Sequence, residues 1–182
     1  NPAKDTVSVQ GKILIVDAIS TNRISLKVQL ASAFYEVVQA ASAQEACTIA
    51  RIEAPDLIIS ALSLPDGTAA QLSAMLQTHP ATRTIPIIGV GCRPDQVTRL
   101  ATLEAGVHDI FLRPVEYGLL LARVRSLIRA HNSAEEWQMR DDTSRALGFA
   151  EEPAAFGPPG RAAIVSANRT QTAEWIDALR PT

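Results

Sequence analysis

Few side chains in this sequence are spaced so that they could do chemistry together. His79, His108 and His131 are scattered with no metal-ligand spacing, and Cys47 and Cys92 form no CxxC or Cys/His cluster. Neither a zinc site nor a disulfide framework therefore organises the chain. Cys92 reads as a small buried hydrophobe before it reads as a reactive thiol. More telling is a set of positions, Asp17, Ala18, Ala61, Gly91, Cys92 and Arg113, each at or just past the end of a short apolar run. Asp17 and Arg113 carry opposite charges, and either they pair or both face water.

Those runs are the elements that position the set. Lys12 to Val16, Tyr35 to Ala40, Asp56 to Ser60, Ile85 to Val90 and Asp109 to Leu112 read as strands buried on both faces of a parallel sheet. Helical stretches alternate with them. Asn22 to Ser32 places Ile24, Val28 and Ala31 on one face. Ser42 to Glu45 is a capping box opening a helix to about Glu53. Leu64 to Gly67 reads as a turn, and Leu72, Met75 and Leu76 mark a third helix. Pro94 to Ala105 is a fourth, stopped by Gly106. Glu116 to about His131 is a fifth, with Leu120, Val124, Leu127 and Ile128 on one stripe. Five strands alternating with five helices predict an α/β fold with a doubly wound parallel sheet and right-handed crossovers. Ligands in such sheets bind beyond the carboxyl ends of the strands, where the positions above fall.

The chain of 182 residues amounts to about 1.2 domains at roughly 150 residues each. Hydrophobic residues make up 47% and charged residues 20%, which suits a globular chain rather than a disordered one. A net charge of −2 gives no support for nucleic-acid binding, and Arg123, Arg125 and Arg129 read as a solvated basic face. No apolar run approaches the roughly 18 residues of a membrane span, and the N-terminus lacks a signal-peptide core. The expectation is a cytoplasmic protein without a membrane partner. The first domain spans 11–131. Residues 132–160 read as a helical extension, through Glu135 to Arg140, followed by a Pro/Gly linker from Pro153 to Gly160. Residues 161–182 then restart the pattern, with Ala162 to Val165 as a strand and Trp175, Ile176 and Leu179 on one side of a helix. One strand and one helix make no core, so the expectation is a second domain that begins there and is cut short.

At these strand ends the sequence resembles the receiver domain of two-component response regulators. Val16-Asp17-Ala18 stands where that family has an acidic pair. Pro55-Asp56-Leu57-Ile58-Ile59-Ser60-Ala61 resembles its third strand, and Ile85-Pro86-Ile87-Ile88-Gly89-Val90-Gly91-Cys92 its fourth. Ala105-Gly106-Val107-His108-Asp109-Ile110-Phe111-Leu112-Arg113-Pro114 resembles its fifth, including the step that is usually a cis proline. The resemblance implies a flavodoxin-like sheet of strand order 2-1-3-4-5. Phe111 to Val115 and Leu121 to Leu127, with a layout that extends through the linker to about Arg180, resemble PleD-type response regulators, in which two tandem receivers precede a GGDEF diguanylate cyclase domain.

The resemblance also defines what is missing. The family's chemistry uses an aspartate nucleophile, a divalent metal, a hydroxyl and a lysine. The nucleophile position is Ala61, the direct metal-ligand position Ala18, the hydroxyl position Gly91 and the lysine position Arg113; Ile110 stands where a switching aromatic is common. Asp17 remains as a lone acid, and Pro114 completes the degenerate pocket. Ser60 points to the other face by strand alternation, and Ser63 lacks a base. The implied module is therefore a pseudo-receiver. It has no phosphoacceptor, no cofactor and no magnesium site, and is not an enzyme in this fragment. It is expected to act by interaction and dimerisation, with a sensor kinase or a GGDEF output domain as further partners. The family's interaction face here offers Val97, Leu100, Leu103, Leu119 and Leu120. The alternatives are a phosphorylatable regulator with non-standard residues, or a small-ligand-binding flavodoxin-like domain. The latter is disfavoured because Asp17 to Thr21 contains no glycine-rich phosphate loop.

Overall fold

The computed structural model describes residues 10–146. The expected linker falls outside the described residues, as does the strand–helix restart with Trp175, Ile176 and Leu179.

The five expected strands form as β1 (Lys12–Val16), β2 (Glu36–Ala40), β3 (Leu57–Ala61), β4 (Ile87–Gly91) and β5 (Asp109–Leu112). They make one all-parallel sheet in the order β2-β1-β3-β4-β5. Between them run α1 (Ser20–Ser32), α2 (Ala43–Glu53), α3 (Ala69–Gln77) and α4 (Gln96–Glu104), and α5 (Tyr117–Ala146) follows β5. The expected turn is the tip of a tiny antiparallel hairpin, Ser63–Leu64 against Gly67–Thr68, set apart from the main sheet. The fifth helix continues well beyond His131 to Ala146, in keeping with its expected extension. No helix among the described residues is long and apolar enough to cross a membrane.

Alternation along the strands divides the core in two. Ile13, Ile15, Leu57, Ile59, Ile88 and Val90 pack with Leu26 and Leu30 of α1 and with Leu120, Val124, Leu127 and Ile128 of α5. Leu14, Val16, Ile58 and Ile87 pack against Ala43, Ala46 and Ala50 of α2 and against Leu72 and Leu76 of α3. At roughly 25 cal/mol per Å² of buried apolar surface, these fully covered aliphatic strands are the main source of stability. Small alanines on α2 let that helix lie close to the strands.

Two expectations about helix faces are corrected. Ile24 and Val28 of α1 are 57% and 60% exposed, and Ala31 is exposed too, while Leu26 and Leu30 face the sheet. Both sets satisfy a helical repeat, and packing of α1 against the sheet and α5 selects between them. Leu120, expected on the interaction face, is 1% exposed and lies against the sheet, because it shares a stripe with Val124 and Leu127. Leu103 is partly buried against the other core. Val97, Leu100 and Leu119 are exposed as expected.

The expected capping box forms, and it is reinforced from a distance. Ser42 Oγ accepts from the Glu45 amide at 3.2 Å, and Glu45 Oε2 accepts from the Ala41 amide at 2.7 Å. Asp66, in the hairpin turn, adds its two oxygens to the Ala43 and Gln44 amides at 2.8 and 2.9 Å. Orphan donors of the first helical turn are thus satisfied by a carboxylate, which the helix dipole also favours. The Ala43 amide first, and then that of Gln44, hold the Asp66 carboxyl below its usual range. A lowered folded-state pKa means stabilisation that is complete above the unfolded value of about 3.9 and fades as pH falls through the folded value. The Asp66→Ala variant is therefore expected to unfold at lower urea than the parent at pH 7. That gap should close under acid, below about pH 4. An unchanged gap on acid titration contradicts the assignment.

Candidate functional site

Parallel register carries the strand ends to one edge. Val16 is level with Ser60, Ala61 with Val90, and Gly91 with Leu112. The next residues, Asp17, Leu62, Cys92 and Arg113, therefore emerge side by side. The Arg113 amide extends the ladder to Gly91 O at 2.8 Å, and the Asp17 amide extends it to Ala40 O at 3.1 Å.

Asp17 is 4% exposed, so its carboxylate needs protein partners in place of water. Oδ1 accepts from the Ile19 amide at 2.8 Å, and Oδ2 accepts from Asn22 Nδ2 at 3.0 Å and from Arg113 Nη2 at 2.5 Å. Of the two arrangements left open by the sequence, the ion pair is the one formed. Arg23 completes the turn, with Nη1 donating to Asp17 O at 2.6 Å and to Ala18 O at 3.2 Å. Asn22 and Arg23 were not picked out from the sequence. A polar residue one turn into the helix after an acidic strand end is the signal that points to Asn22; no local signal marks Arg23. The Arg113–Pro114 bond is cis, as the resemblance implies.

The cleft between these ends has a volume of about 510 Å³ and brings Asp17, Ala61, Gly91, Cys92 and Arg113 together. Ala18 is exposed and does not line it, and Pro114 lines a smaller neighbouring cleft of about 220 Å³. Among the described residues Asp17 is the one carboxylate lining the larger cleft, and its outer oxygen is on a guanidinium. Among the described residues no group of three or more His, Cys, Asp or Glu side chains comes together to hold a metal. This donor set does not fit a divalent cation, which prefers several oxygen ligands and is repelled by a fixed positive charge. Ser60 is fully buried and its hydroxyl donates to Ala61 O at 2.9 Å, so it is turned away from any reactant. Ser63 is exposed at the rim, and so is Cys92, which corrects its reading as a buried hydrophobe.

Leu62 explains the glycines of β4. A Cβ built on Gly89 would lie 2.7 Å from Leu62 Cδ2, and one on Gly91 would lie 2.9 Å from Cδ1, 3.0 Å from Cγ and 3.1 Å from Cβ of the same leucine. Leu62 therefore lies over both positions, and the space of a β4 hydroxyl is already occupied. Gly91→Thr is expected to cost about 1–3 kcal/mol by overpacking. In a Leu62→Ala background the same change should cost less, giving a coupling of at least ~0.5 kcal/mol in a double-mutant cycle read by urea denaturation. Additive costs contradict this account.

The comparisons with known proteins agree with the geometry. A family profile for the response regulator receiver domain matches residues 13–125. The chain is 31% identical over 165 residues to the response regulator PleD of Caulobacter vibrioides (strain NA1000 / CB15N), covering 90% of this chain and 36% of that protein. It is 31% identical over 121 residues to the KDP operon transcriptional regulatory protein KdpE of Escherichia coli (strain K12), covering 66% of this chain and 52% of that one. The chain thus spans only about a third to a half of these relatives' length. The signal receiver domain of a signal transduction histidine kinase from Syntrophus aciditrophicus superposes with a TM-score of 0.61 at 30% identity, over 66% of this chain and 91% of that one. With the sheet order, the strand-end cleft and the matched profile all in accord, the chain belongs to the response regulator receiver domain family of two-component signalling.

Proposed function

We propose that this receiver works without aspartyl phosphorylation, as a pseudo-receiver that serves interaction and dimerisation. The observation carrying this reading is the end of β3. Ala61 supplies a methyl group where phosphoryl transfer needs a nucleophile, and the neighbouring carboxylate, Asp17, is engaged by Arg113. The ion pair is part of the fold itself, where a phosphorylation-controlled contact would come and go. Magnesium has no role in this reading.

The match to PleD across 90% of this chain supports a PleD-like layout. In that layout 11–131 is the receiver, 132–160 the connecting segment and 161–182 the start of a second receiver. The longer protein then carries a diguanylate cyclase output and works in the cytoplasm. A sensor kinase and the output domain are its protein partners besides a second copy. Exposed Val97 and Leu100 on α4, with Leu119 on α5, offer apolar surface for a homodimer. A specific interface there would bury more than roughly 1,000 Å² in total.

Intact-mass spectrometry after incubation with acetyl phosphate and magnesium tests the chemical half. The expected result is no phosphoryl adduct on the parent chain and none on Ala61→Asp, because the second acid of the pair is also missing. An adduct on the parent that disappears in Asp17→Ala overturns the reading. Light scattering with and without beryllofluoride tests the assembly half. The same dimer is expected under both conditions, and dimerisation only with the analogue contradicts it.

A further inference from the structure

We propose that a second cavity, at the opposite end of the strands, binds a small carboxylate with an apolar body. It opens near the amino-terminal end of β4, about 13 Å along that strand from the Asp17–Arg113 cleft. It lies between α3, the segment leading into β4, and the turn from α4 to β5. Its volume is about 270 Å³, just under the roughly 300 Å³ at which pockets for drug-sized ligands begin, so the occupant is small. Leu76, Ile85, Leu103 and Val107 supply apolar walls.

The polar lining is specific. Arg83 lies at the cavity, and its guanidinium makes no hydrogen bond or ion pair among the described residues. Ser73 is 1% exposed; its hydroxyl oxygen accepts from Gln77 Nε2 at 3.3 Å, while its own proton has no acceptor among the described residues. Gln77 Nε2 also donates to Ala105 O at 3.1 Å, which fixes its amide at the wall. Gly106, at a φ of 95°, permits this close approach: a Cβ there would fall 2.3 Å from Gln77 Nε2 and 3.0 Å from Ser73 Oγ. Among the described residues no Asp or Glu lines the cavity. An uncommitted guanidinium and a buried hydroxyl donor beside hydrocarbon walls select an anion that also has an apolar part. A carboxylate accepts the planar fork of arginine in two hydrogen bonds, and its hydrocarbon body is desolvated against the leucines and valine. The site is independent of whether the receiver is phosphorylated. Its occupant would touch Gly106 and Val107, which join α4 to β5.

Sodium benzoate is the probe, with benzamide as its uncharged counterpart and sodium chloride at matched ionic strength as the control. The chain of 182 residues, labelled with nitrogen-15, is titrated and its amide spectrum followed. Saturable shifts at Gly106, Val107 and His108 with a Kd near or below about 1 mM are expected for benzoate. Binding of benzamide should be weaker by about tenfold, the worth of a charge-assisted contact. Arg83→Gln, an exposed substitution that leaves the core intact, should remove that preference. Non-saturating shifts, shifts centred on the Arg113 cleft, or unchanged benzoate binding by Arg83→Gln would each overturn the proposal.

Discussion

A carboxylate 4% exposed at the end of a fully buried strand needs donors, and the carboxyl edge of this sheet is arranged around providing them to Asp17. Arg113 arrives from the end of β5, 96 residues away in sequence, and Asn22 from the first turn of α1. The pair links two strands that are not neighbours in the sheet, since β3 and β4 lie between them. Arg113 keeps 31% of its side chain in contact with solvent, so its removal strands the buried carboxylate of Asp17 rather than breaking a fully buried pair. Replacing both by apolar groups can cost little, so the pair is better regarded as a constraint on geometry than as a source of stability.

That constraint bears on the whole cleft. With Arg113 drawn onto Asp17, the positive charge at the end of β5 is engaged rather than free to meet an incoming anion. Leu62 acts in the same direction from just past β3, by lying over Gly89 and Gly91. Leu62, Gly89 and Gly91 thus form a mutually consistent set: the two glycines leave room that the leucine uses. Changing one member of such a set meets the packing of the others, because protein interiors are as dense as organic crystals.

The two ends of the sheet differ in character. At the carboxyl edge the charges are paired and the cleft is broad. At the other edge the cavity between α3 and the α4–β5 turn is smaller, and its guanidinium is uncommitted among the described residues. Asp66 meanwhile fastens the hairpin after β3 to the start of α2, so the loops on the carboxyl side are tied to the helices as well as to the strands.

The sequence by itself determined the α/β class, the five strands and which positions stand at the carboxyl edge, while the strand order came with the family resemblance. A strand covered on both faces needs an uninterrupted apolar run, and such runs end where the chain must leave the core, as at Val16–Asp17 and Leu112–Arg113. The capping box at Ser42 was legible for a similar reason, since its partners are three residues apart. The tertiary structure alone decided that Leu26 and Leu30, rather than Ile24 and Val28, face the sheet, and that Leu120 is covered. It also decided that Arg113 pairs with Asp17, that Leu62 lies over the β4 glycines, and that Asp66 caps a helix 22 to 23 residues earlier. Each of these depends on helix rotation and strand register, which are set by the packing of distant elements. Local periodicity repeats equally well on more than one face and carries no record of them.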